Sequence, residues 1–338
     1  MKLLENKSLL SYNTFHIDAS AKYFYEVYSP KELIELVSNP QVKPLPKFIL
    51  GGGSNILLSK NYDGLIIKNS IKGIEKIKED ADHVYVKTGA GELWHQFVLY
   101  CIEKGYAGVE NMSLIPGCVG AGPIQNIGAY GTELKDVFHE LEALHIRDCV
   151  VKKFNIEQCK FGYRESVFKN EAKGEFIITS VTFRLNKKPT FNTAYGAIEK
   201  ELQSMGVKSM SIKAISDAVI NIRSSKLPDP SKIGNAGSFF KNPEVSVKKF
   251  EQLKNNFPTI VAFPQNNGNV KLAAGWLIEQ CGLKGKTFGD AGVHKEQALV
   301  LVNYGKATGK EIWDLSQKIL DAVINKFEVE LEREVNVI

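Results

Sequence analysis

Apolar and polar positions follow two spacings along the chain, one typical of strands and one of helices. Helical spacing predicts an amphipathic helix over 92–103 that ends at Gly105, and further helices around 272–277 and 312–327 in the C-terminal half. Short apolar runs predict strands at residues 47–50, 64–67, 84–86, 176–178, 181–183 and 298–302. The mixture of both element types predicts an α+β fold.

The clearest helix start is the run Ser29-Pro30-Lys31-Glu32. Ser29 suits the N-cap, proline suits the first helical position, and Glu32 would complete a capping box. Apolar residues at 33, 34, 36 and 37 then supply a face for the core. A helix is therefore predicted to begin at Pro30.

Length and composition describe an ordinary globular chain. Its 338 residues exceed the size at which one core usually keeps growing, so more than one domain is expected. The net charge of +5 is mild and no basic block is interleaved with aromatics, so no nucleic-acid partner is expected. The five cysteines are widely separated, which favours reduced thiols over a zinc site or a disulfide framework. With no apolar stretch of about 20 residues and no signal peptide, we expect a cytoplasmic protein without membrane insertion.

A glycine triplet follows the predicted strand at 47–50. The backbone N–H groups of Gly51-Gly52-Gly53 lie open, and Ser54 and Asn55 add side-chain donors. Several convergent donors suit a pyrophosphate, although a glycine triplet is more often a plain tight turn. The third glycine of the Rossmann fingerprint is missing here, so a Rossmann domain is not expected.

A second glycine-rich segment runs from Ser113 to Gly131 and carries few charges. Such a segment is poorly suited to be a solvated loop. One interpretation is backbone packed against a flat, largely apolar ligand such as an isoalloxazine ring; the other is a buried structural crossover. Composition alone does not decide between the two.

Five motifs in order along the chain resemble one known family. The 51–55 and 115–131 segments resemble the FAD-binding domain shared by p-cresol methylhydroxylase and vanillyl-alcohol oxidase. Together with 161–166, 234–242 and 331–335, they resemble the UDP-N-acetylenolpyruvoylglucosamine reductase family. The run Thr193-Ala194-Tyr195-Gly196 is similar to the tyrosine loop of its longer subtype.

The resemblance implies a domain organisation. An FAD-binding domain of two α+β subdomains is expected over 1–187, divided near residue 70. A tyrosine loop and connecting segment would occupy 188–226, and an α+β substrate-binding domain 227–338. The FAD-binding residues carried over are Gly51, Gly52, Gly53, Ser54, Asn55, Ile115, Pro116, Gly117, Gly120, Ala121, Gly122 and Ile127.

The resemblance also implies an NADPH-dependent reduction of an enolpyruvyl group, with Arg164, Ser238 and Glu334 as catalytic residues. Ser238 would donate the proton, although a serine among small residues is otherwise a turn or cap residue. A guanidinium can hold both oxygens of a carboxylate, which suits Arg164, otherwise an ordinary surface arginine. Substrate contacts are implied for Tyr130, Tyr195, Lys226, Asn242 and Gln297.

One position departs from the family pattern. Many members have proline where this chain has Arg333, so Glu332 and Glu334 are rival acids by chemistry, and the register of the motif favours Glu334.

Two other functions stay open at this point. Another FAD-dependent oxidoreductase, such as an alcohol or sugar oxidase, would share the flavin motifs; a catalytically silent UDP-sugar sensor would share the substrate motifs. No metal site is expected, and a monomer is the expected state.

Overall fold

The computed structural model describes residues 2–194, 196–265 and 267–338. Its strands are β1 Leu4–Ser8, β2 Ser20–Val27, β3 Lys47–Leu50, β4 Ile56–Leu57, β5 Tyr62–Asn69, β6 Ile74–Glu79, β7 His83–Gly89, β8 Gly128–Ala129, β9 Thr132–Glu133, β10 Phe138–His145, β11 Val150–Phe154, β12 Phe176–Asn186, β13 Gly234–Ser238, β14 Glu244–Ser246, β15 Ala262–Pro264, β16 Asn269–Leu272, β17 Thr287–Phe288, β18 Ala291–Val293, β19 Val300–Asn303 and β20 Asn336–Val337. Its α-helices are α1 Pro30–Ser38, α2 Trp94–Glu103, α3 Ile156–Cys159, α4 Gly196–Ser204, α5 Ile212–Lys226, α6 Val247–Asn256, α7 Ala274–Gln280 and α8 Gly309–Phe327. Short 3-10 helices lie at Leu10–Tyr12, Glu110–Met112, Val119–Ala121, Leu134–Asp136 and Val167–Lys169.

The chain forms two compact units, and neither is continuous in sequence. Unit 1 contains Met1–Lys7, Ala21–Gly52 and Asp63–Ser225. Unit 2 contains Ser8–Ser20, Gly53–Tyr62 and Lys226–Ile338. The expected domain boundaries at 187 and 226 stay predictions.

Unit 1 is built on two sheets. One has the strand order β1-β2-β5-β3, with β3 and β5 parallel, and the other has the order β11-β10-β12-β7-β6 with antiparallel pairs. The second sheet and α2 enclose an aromatic core in which the rings of Trp94, Phe97 and Phe183 touch. A smaller core joins α4 and α5 through apolar residues such as Ile198 and Val219.

The helix predicted at Pro30 is confirmed, with one change at its cap. The Ser29 hydroxyl accepts the backbone N–H of Glu32 at 3.1 Å, as expected of an N-cap. The Glu32 carboxylate, however, accepts from the backbone N–H of Tyr28 at 2.8 Å and from the hydroxyl of Tyr25. The acid thus reaches past the cap residue to the strand before it, so the reciprocal capping box is not formed.

The two strands predicted at 176–178 and 181–183 are one strand, β12. The polar residues Thr179 and Ser180, which lie between the two predicted strands, are buried inside it. The Thr179 hydroxyl donates to the backbone oxygen of Glu142 at 3.1 Å, and the Ser180 hydroxyl donates to the Glu142 carboxylate at 3.1 Å. Hydrogen bonds to the neighbouring strand satisfy these hydroxyls, so the strand continues through them.

Unit 2 contains sheets of order β13-β19-β18-β17 and β14-β16-β15, and a parallel pair of β20 with β4. The long helix α8 packs against α7, β18 and β19. Its buried face ends at Phe327, whose ring touches those of Phe257 and Trp276. The helix predicted over 312–327 is confirmed and begins three residues earlier, after a capping box between Thr308 and Glu311.

The helix predicted around 272–277 begins later than expected. Leu272 ends β16, and α7 starts at Ala274. Helices α3, α4, α5 and α6 were not predicted from the sequence. Across the described residues, no helix combines the length and the apolar composition needed to cross a membrane.

Candidate functional site

The glycine triplet after β3 and the glycine-rich segment at 115–131 meet in unit 1. A Cβ placed on Gly52 would lie 2.7 Å from the Cα of Gly117, closer than any real side chain approaches backbone. A Cβ on Gly120 would lie 2.5 Å from the Cβ of Ala90. At Gly52 and Gly117 the two predicted FAD-binding segments therefore pack backbone to backbone, which only glycine permits.

The remaining residues of this motif, Gly53 to Asn55, belong to unit 2. The backbone oxygen of Gly53 accepts from the N–H of Thr14 at 3.1 Å. The backbone oxygen of Asn55 accepts from the backbone and side-chain nitrogens of Asn336, at 3.1 and 3.0 Å. The Asn55 amide also reaches the backbone oxygen of Glu334 at 3.4 Å. Asn55 thus lies beside the C-terminal motif that carries Glu334.

Backbone hydrogen bonds hold the 115–131 segment against its own unit. The N–H of Gly120 donates to the oxygen of Ala90 at 2.9 Å, and the oxygen of Gly117 accepts from the N–H of Trp94 at 2.9 Å. Pro116 and Ala121 nevertheless stay exposed. The segment therefore combines fixed backbone with accessible small and apolar residues, as a surface for a flat ligand requires.

Arg164 sits in a tight turn next to this segment. The backbone of Gly162 and Glu165 exchanges two hydrogen bonds, at 3.0 and 3.3 Å, and Arg164 takes a left-handed φ of 56° between them. Its Nη2 donates to the backbone oxygen of Gly128 at 2.8 Å. The turn is fixed by Asn126, which is fully buried and donates to the oxygen of Gly162 at 3.0 Å. A cationic side chain is thereby held at the edge of the segment.

Ser238 ends strand β13 and is half-buried. It pairs with Val300 of β19 after an irregularity in register that begins at Asn235. The Asn235 side chain accepts the backbone N–H of Gly237 at 3.0 Å and so holds this bulge. Phe239, the next residue, is fully buried. Bulges redirect side chains at the ends of strands, and this one sets the position of Ser238.

The C-terminal motif runs antiparallel to the residues after Ser238. Phe240 pairs with Arg333, the N–H of Glu334 donates to the oxygen of Phe239 at 2.8 Å, and the N–H of Lys241 donates to the oxygen of Glu332 at 2.9 Å. The structure therefore brings Glu334 next to the residue that follows Ser238.

Glu332 is engaged elsewhere. Its carboxylate lies 2.6 Å from the ammonium of Lys241, and its side chain is 67% exposed whereas that of Lys241 is 8% exposed. A carboxylate that is exposed and paired with lysine is a poor candidate for an acid at a reacting carbon. The assignment of Glu334 as the third catalytic residue, which the register of the motif favours, stays a prediction.

Two of the predicted substrate residues meet at the start of α7. The Asn242 carbonyl oxygen accepts the backbone N–H of Ala274 at 2.9 Å. The Gln297 carbonyl oxygen would lie 3.0 Å from a Cβ on Gly275. Lys226, the last residue of α5, is exposed. Tyr195 lies outside the described residues.

Sequence reasoning missed a polar cluster around Tyr130 in unit 1. The hydroxyl of Tyr130 makes a hydrogen bond with the guanidinium of Arg223, a residue of α5. Burial and the charge of Arg223 lower the pKa of nearby His95. The signal in the sequence was a charged residue, Arg223, among the apolar residues that follow helical spacing along α5.

The residues present fit FAD in two respects. Close contacts exclude a side chain at Gly52 and at Gly120, and the Nε of Arg223 is buried without a hydrogen-bond partner among the described residues. No group of His, Cys, Asp and Glu side chains in the part of the chain that is described could hold a metal ion.

Comparison with known proteins agrees with FAD binding by this chain. An FAD-binding domain family matches residues 21–152, and the family described as UDP-N-acetylenolpyruvoylglucosamine reductase, C-terminal domain, matches residues 229–338. A protein of Amoebophilus asiaticus named UDP-N-acetylenolpyruvoylglucosamine reductase is 55% identical over all of both chains. A protein of the same name from Flavobacterium johnsoniae is 52% identical over all of both chains. The crystal structure of that reductase from Thermus caldophilus matches with a TM-score of 0.68 and 25% identity, covering 100% of this chain and 99% of that one.

The fold and these matches define an FAD-dependent oxidoreductase with an FAD-binding part and a separate C-terminal α+β domain. The class of enzyme, the fold and the use of FAD predicted from the sequence are thus confirmed. More specifically, the chain belongs to the UDP-N-acetylenolpyruvoylglucosamine reductase family, the flavoenzymes of peptidoglycan precursor synthesis.

Proposed function

We propose that the chain reduces the enolpyruvyl double bond of UDP-N-acetyl-3-O-(1-carboxyvinyl)-glucosamine and forms UDP-N-acetylmuramate, with NADPH as the reductant. We further propose that it does so as a monomer in the cytoplasm. The observation that carries the proposal is the pairing of 239–241 with 332–334, because it sets Glu334 beside the residue that follows Ser238.

Each catalytic residue would meet one demand of the reaction. Bound FAD would take a hydride from NADPH and supply one to the terminal carbon of the alkene. Negative charge would then build on the neighbouring carbon and its carboxylate. Arg164 would hold that carboxylate, the hydroxyl of Ser238 would give its proton to the carbon, and solvent would reprotonate the serine. Glu334 would stabilise the charge as a hydrogen-bonded or protonated acid.

The remaining residues would bind the substrate. Asn242 and Gln297 lie around the first turn of α7, and we propose that they contact the diphosphate or uridine together with Tyr130, Tyr195 and Lys226. Asn242 has a second function, because its carbonyl oxygen caps α7 through Ala274. Replacing Asn242 would thus disturb local structure as well as binding, which makes Ser238 the cleaner target.

The decisive experiment is Ser238→Ala in anaerobic stopped flow, read at the flavin absorption band. Reduction by NADPH should stay within about twofold of the original rate, while reoxidation by the enolpyruvyl substrate should slow by roughly 10²–10⁴-fold, the range for loss of a general acid. Ser231→Ala is the matched control, because Ser231 is an exposed serine of the same unit whose hydroxyl donates to Asp229. Fast reoxidation in Ser238→Ala would remove the serine from the mechanism.

A further inference from the structure

A cavity in unit 1 is lined by residues that belong to none of the motifs predicted to bind FAD or substrate. It has a volume of about 430 Å³, within the range of small-molecule sites, and Val37 and Ile146 line its apolar part. Lys47, which also lines it, begins β3, whereas the glycine triplet follows the end of that strand. Four residues of extended chain span about 13 Å, so the cavity is separate from the triplet.

The polar part of the lining is mostly basic. Lys43, Lys47 and Arg147 contribute three cations, and Glu175 contributes one carboxylate, which leaves a net charge of +2. Among the described residues, no carboxylate forms an ion pair with any of the three cations. Like charges around one cavity repel one another, and an anion placed among them would offset that repulsion.

Two turns hold these cations in place. The N–H of Lys43 donates to the backbone oxygen of Asn39 at 3.0 Å, which closes the turn before β3. The N–H of Cys149 donates to the oxygen of His145 at 2.9 Å, which closes the turn that carries Arg147. Apolar residues of both turns pack on the same core of unit 1. An anion would therefore meet cations whose backbone is already fixed, which lowers the entropic cost of binding.

Two half-buried side chains complete the lining. The ammonium of Lys47 donates to the backbone oxygens of Lys43 and Leu45 at 2.9 and 2.8 Å, which leaves one of its three N–H donors for another partner. Burial lowers the pKa of Lys47, so its charge would gain from an anionic neighbour. His145 already has such a neighbour, because its Nδ1 lies 2.7 Å from the Asp148 carboxylate.

We propose that this cavity binds a phosphate monoester, with Lys43, Lys47 and Arg147 holding its phosphate. A phosphate monoester carries a charge of about −1.5 to −2 at pH 7, which matches the net charge of the lining. Lysine and arginine both donate charge-assisted hydrogen bonds to phosphate oxygens. The organic part of the ester would contact Val37 and Ile146.

The test is calorimetric titration of the FAD-loaded enzyme with phenyl phosphate and with phenyl sulfate, which has the same shape but a single negative charge. Phenyl phosphate should bind about tenfold more tightly, because it carries the larger charge. Lys43→Gln combined with Arg147→Gln should weaken its binding by about tenfold, since each exposed ion pair accounts for about threefold. Glu175→Gln removes the one carboxylate of the lining and should strengthen binding by about twofold.

The matched control is Lys31→Gln combined with Lys200→Gln, which removes two exposed cations of unit 1 that do not line the cavity. Its affinity for phenyl phosphate should be unchanged. Three results would overturn the inference. These are no binding of phenyl phosphate, binding that is unaltered by Lys43→Gln with Arg147→Gln, and an equal loss in the control. Unaltered binding would assign the phosphate to the FAD or substrate site.

This inference goes beyond the proposed function and does not depend on it. Ser238→Ala should bind phenyl phosphate as the original protein does, so failure of the serine as proton donor would leave the phosphate site standing.

Discussion

Replacing Gly120 with alanine tests how tightly the flavin segment is packed. The added Cβ would lie 2.5 Å from the Cβ of Ala90 and 3.1 Å from the Cα and backbone oxygen of the same residue. Carbon atoms in ordinary contact are about 3.5–4.0 Å apart, so the segment must move by about 1 Å. We therefore expect Gly120→Ala to disturb both stability and binding of FAD.

The neighbours of Gly120 have little freedom to yield. The N–H of Gly120 donates to the oxygen of Ala90 at 2.9 Å, and the N–H of Ala90 donates to the oxygen of Thr179 in β12 at 3.0 Å. Overpacking costs about 1–3 kcal/mol, and a weakened backbone hydrogen bond adds about 1 kcal/mol. A loss of roughly 2–4 kcal/mol should lower the melting temperature of the apoprotein by roughly 4–12 °C.

The assay has two readouts, thermal unfolding of the apoprotein and titration with FAD followed by flavin fluorescence. The FAD affinity should fall by about tenfold or more, since a shift of about 1 Å in a ligand-contacting segment is enough to misplace its donors. Gly196→Ala is the matched control, because a Cβ on Gly196 meets nothing within 4 Å.

The double variant Ala90→Gly with Gly120→Ala gives the sharpest check. It moves the methyl group from one backbone to the other and removes the shortest contact, so it should regain most of the lost stability. A Gly120→Ala protein that melts within 1 °C of the original and binds FAD normally would refute the packing argument. A double variant no better than the single one would show that the Ala90 contact is not the cause.

Two further predictions concern the C-terminal motif. Glu332→Gln should reoxidise with substrate within about threefold of the original rate and lose only about 1 kcal/mol of stability, because Glu332 is mostly exposed. Glu334→Gln, measured beside it, should slow reoxidation by roughly 10²–10⁴-fold. Arg333→Ala should lower the free energy of unfolding in urea by roughly 1–3 kcal/mol, because Arg333 donates to Ser316 and Gln317 at 2.8 Å each and lies 3.8 Å from the centre of the Trp313 ring.

Each of these has a result that would contradict it. If Glu332→Gln were the slower of the two glutamate variants, the register of the motif would be wrong. If Arg333→Ala unfolded at the same urea concentration as the original, its contacts with α8 would contribute nothing to stability. Lys310→Ala serves as the control for Arg333→Ala. It removes an exposed cation of α8 that, in the described structure, bonds only to nearby Asp314.

Local signals predicted those elements whose ends are set by nearby residues. The cap at Ser29 and the long face of α8 are examples, since caps and apolar spacing act within a few residues. The start of α7 was missed because its first N–H is capped by Asn242, which is 32 residues away. The continuity of β12 was missed because the hydroxyls of Thr179 and Ser180 find partners on another strand.

The candidate site also combines features that nearby residues predict with features that depend on distant residues. The glycines at 52 and 120 could be singled out from the sequence, but only the structure gives the contacts that exclude a side chain there. The rivalry between Glu332 and Glu334 is a second case, because it turns on Lys241, 91 residues from Glu332. Arg223 was overlooked since its setting depends on Tyr130, His95 and α5 lying together.

The discontinuity of unit 2 bears on how the chain folds during synthesis. Thr14 accepts a backbone hydrogen bond from Asn235, and β4 pairs with β20. At 5–20 residues per second, the ribosome needs roughly 10–40 s to proceed from Thr14 to Asn235. For that time the earliest part of unit 2 waits without the strands that complete it, while unit 1 is being made. Binding of chaperones to the nascent chain should therefore concentrate on residues 8–20 and 53–62, and should last until β13 and β20 have emerged.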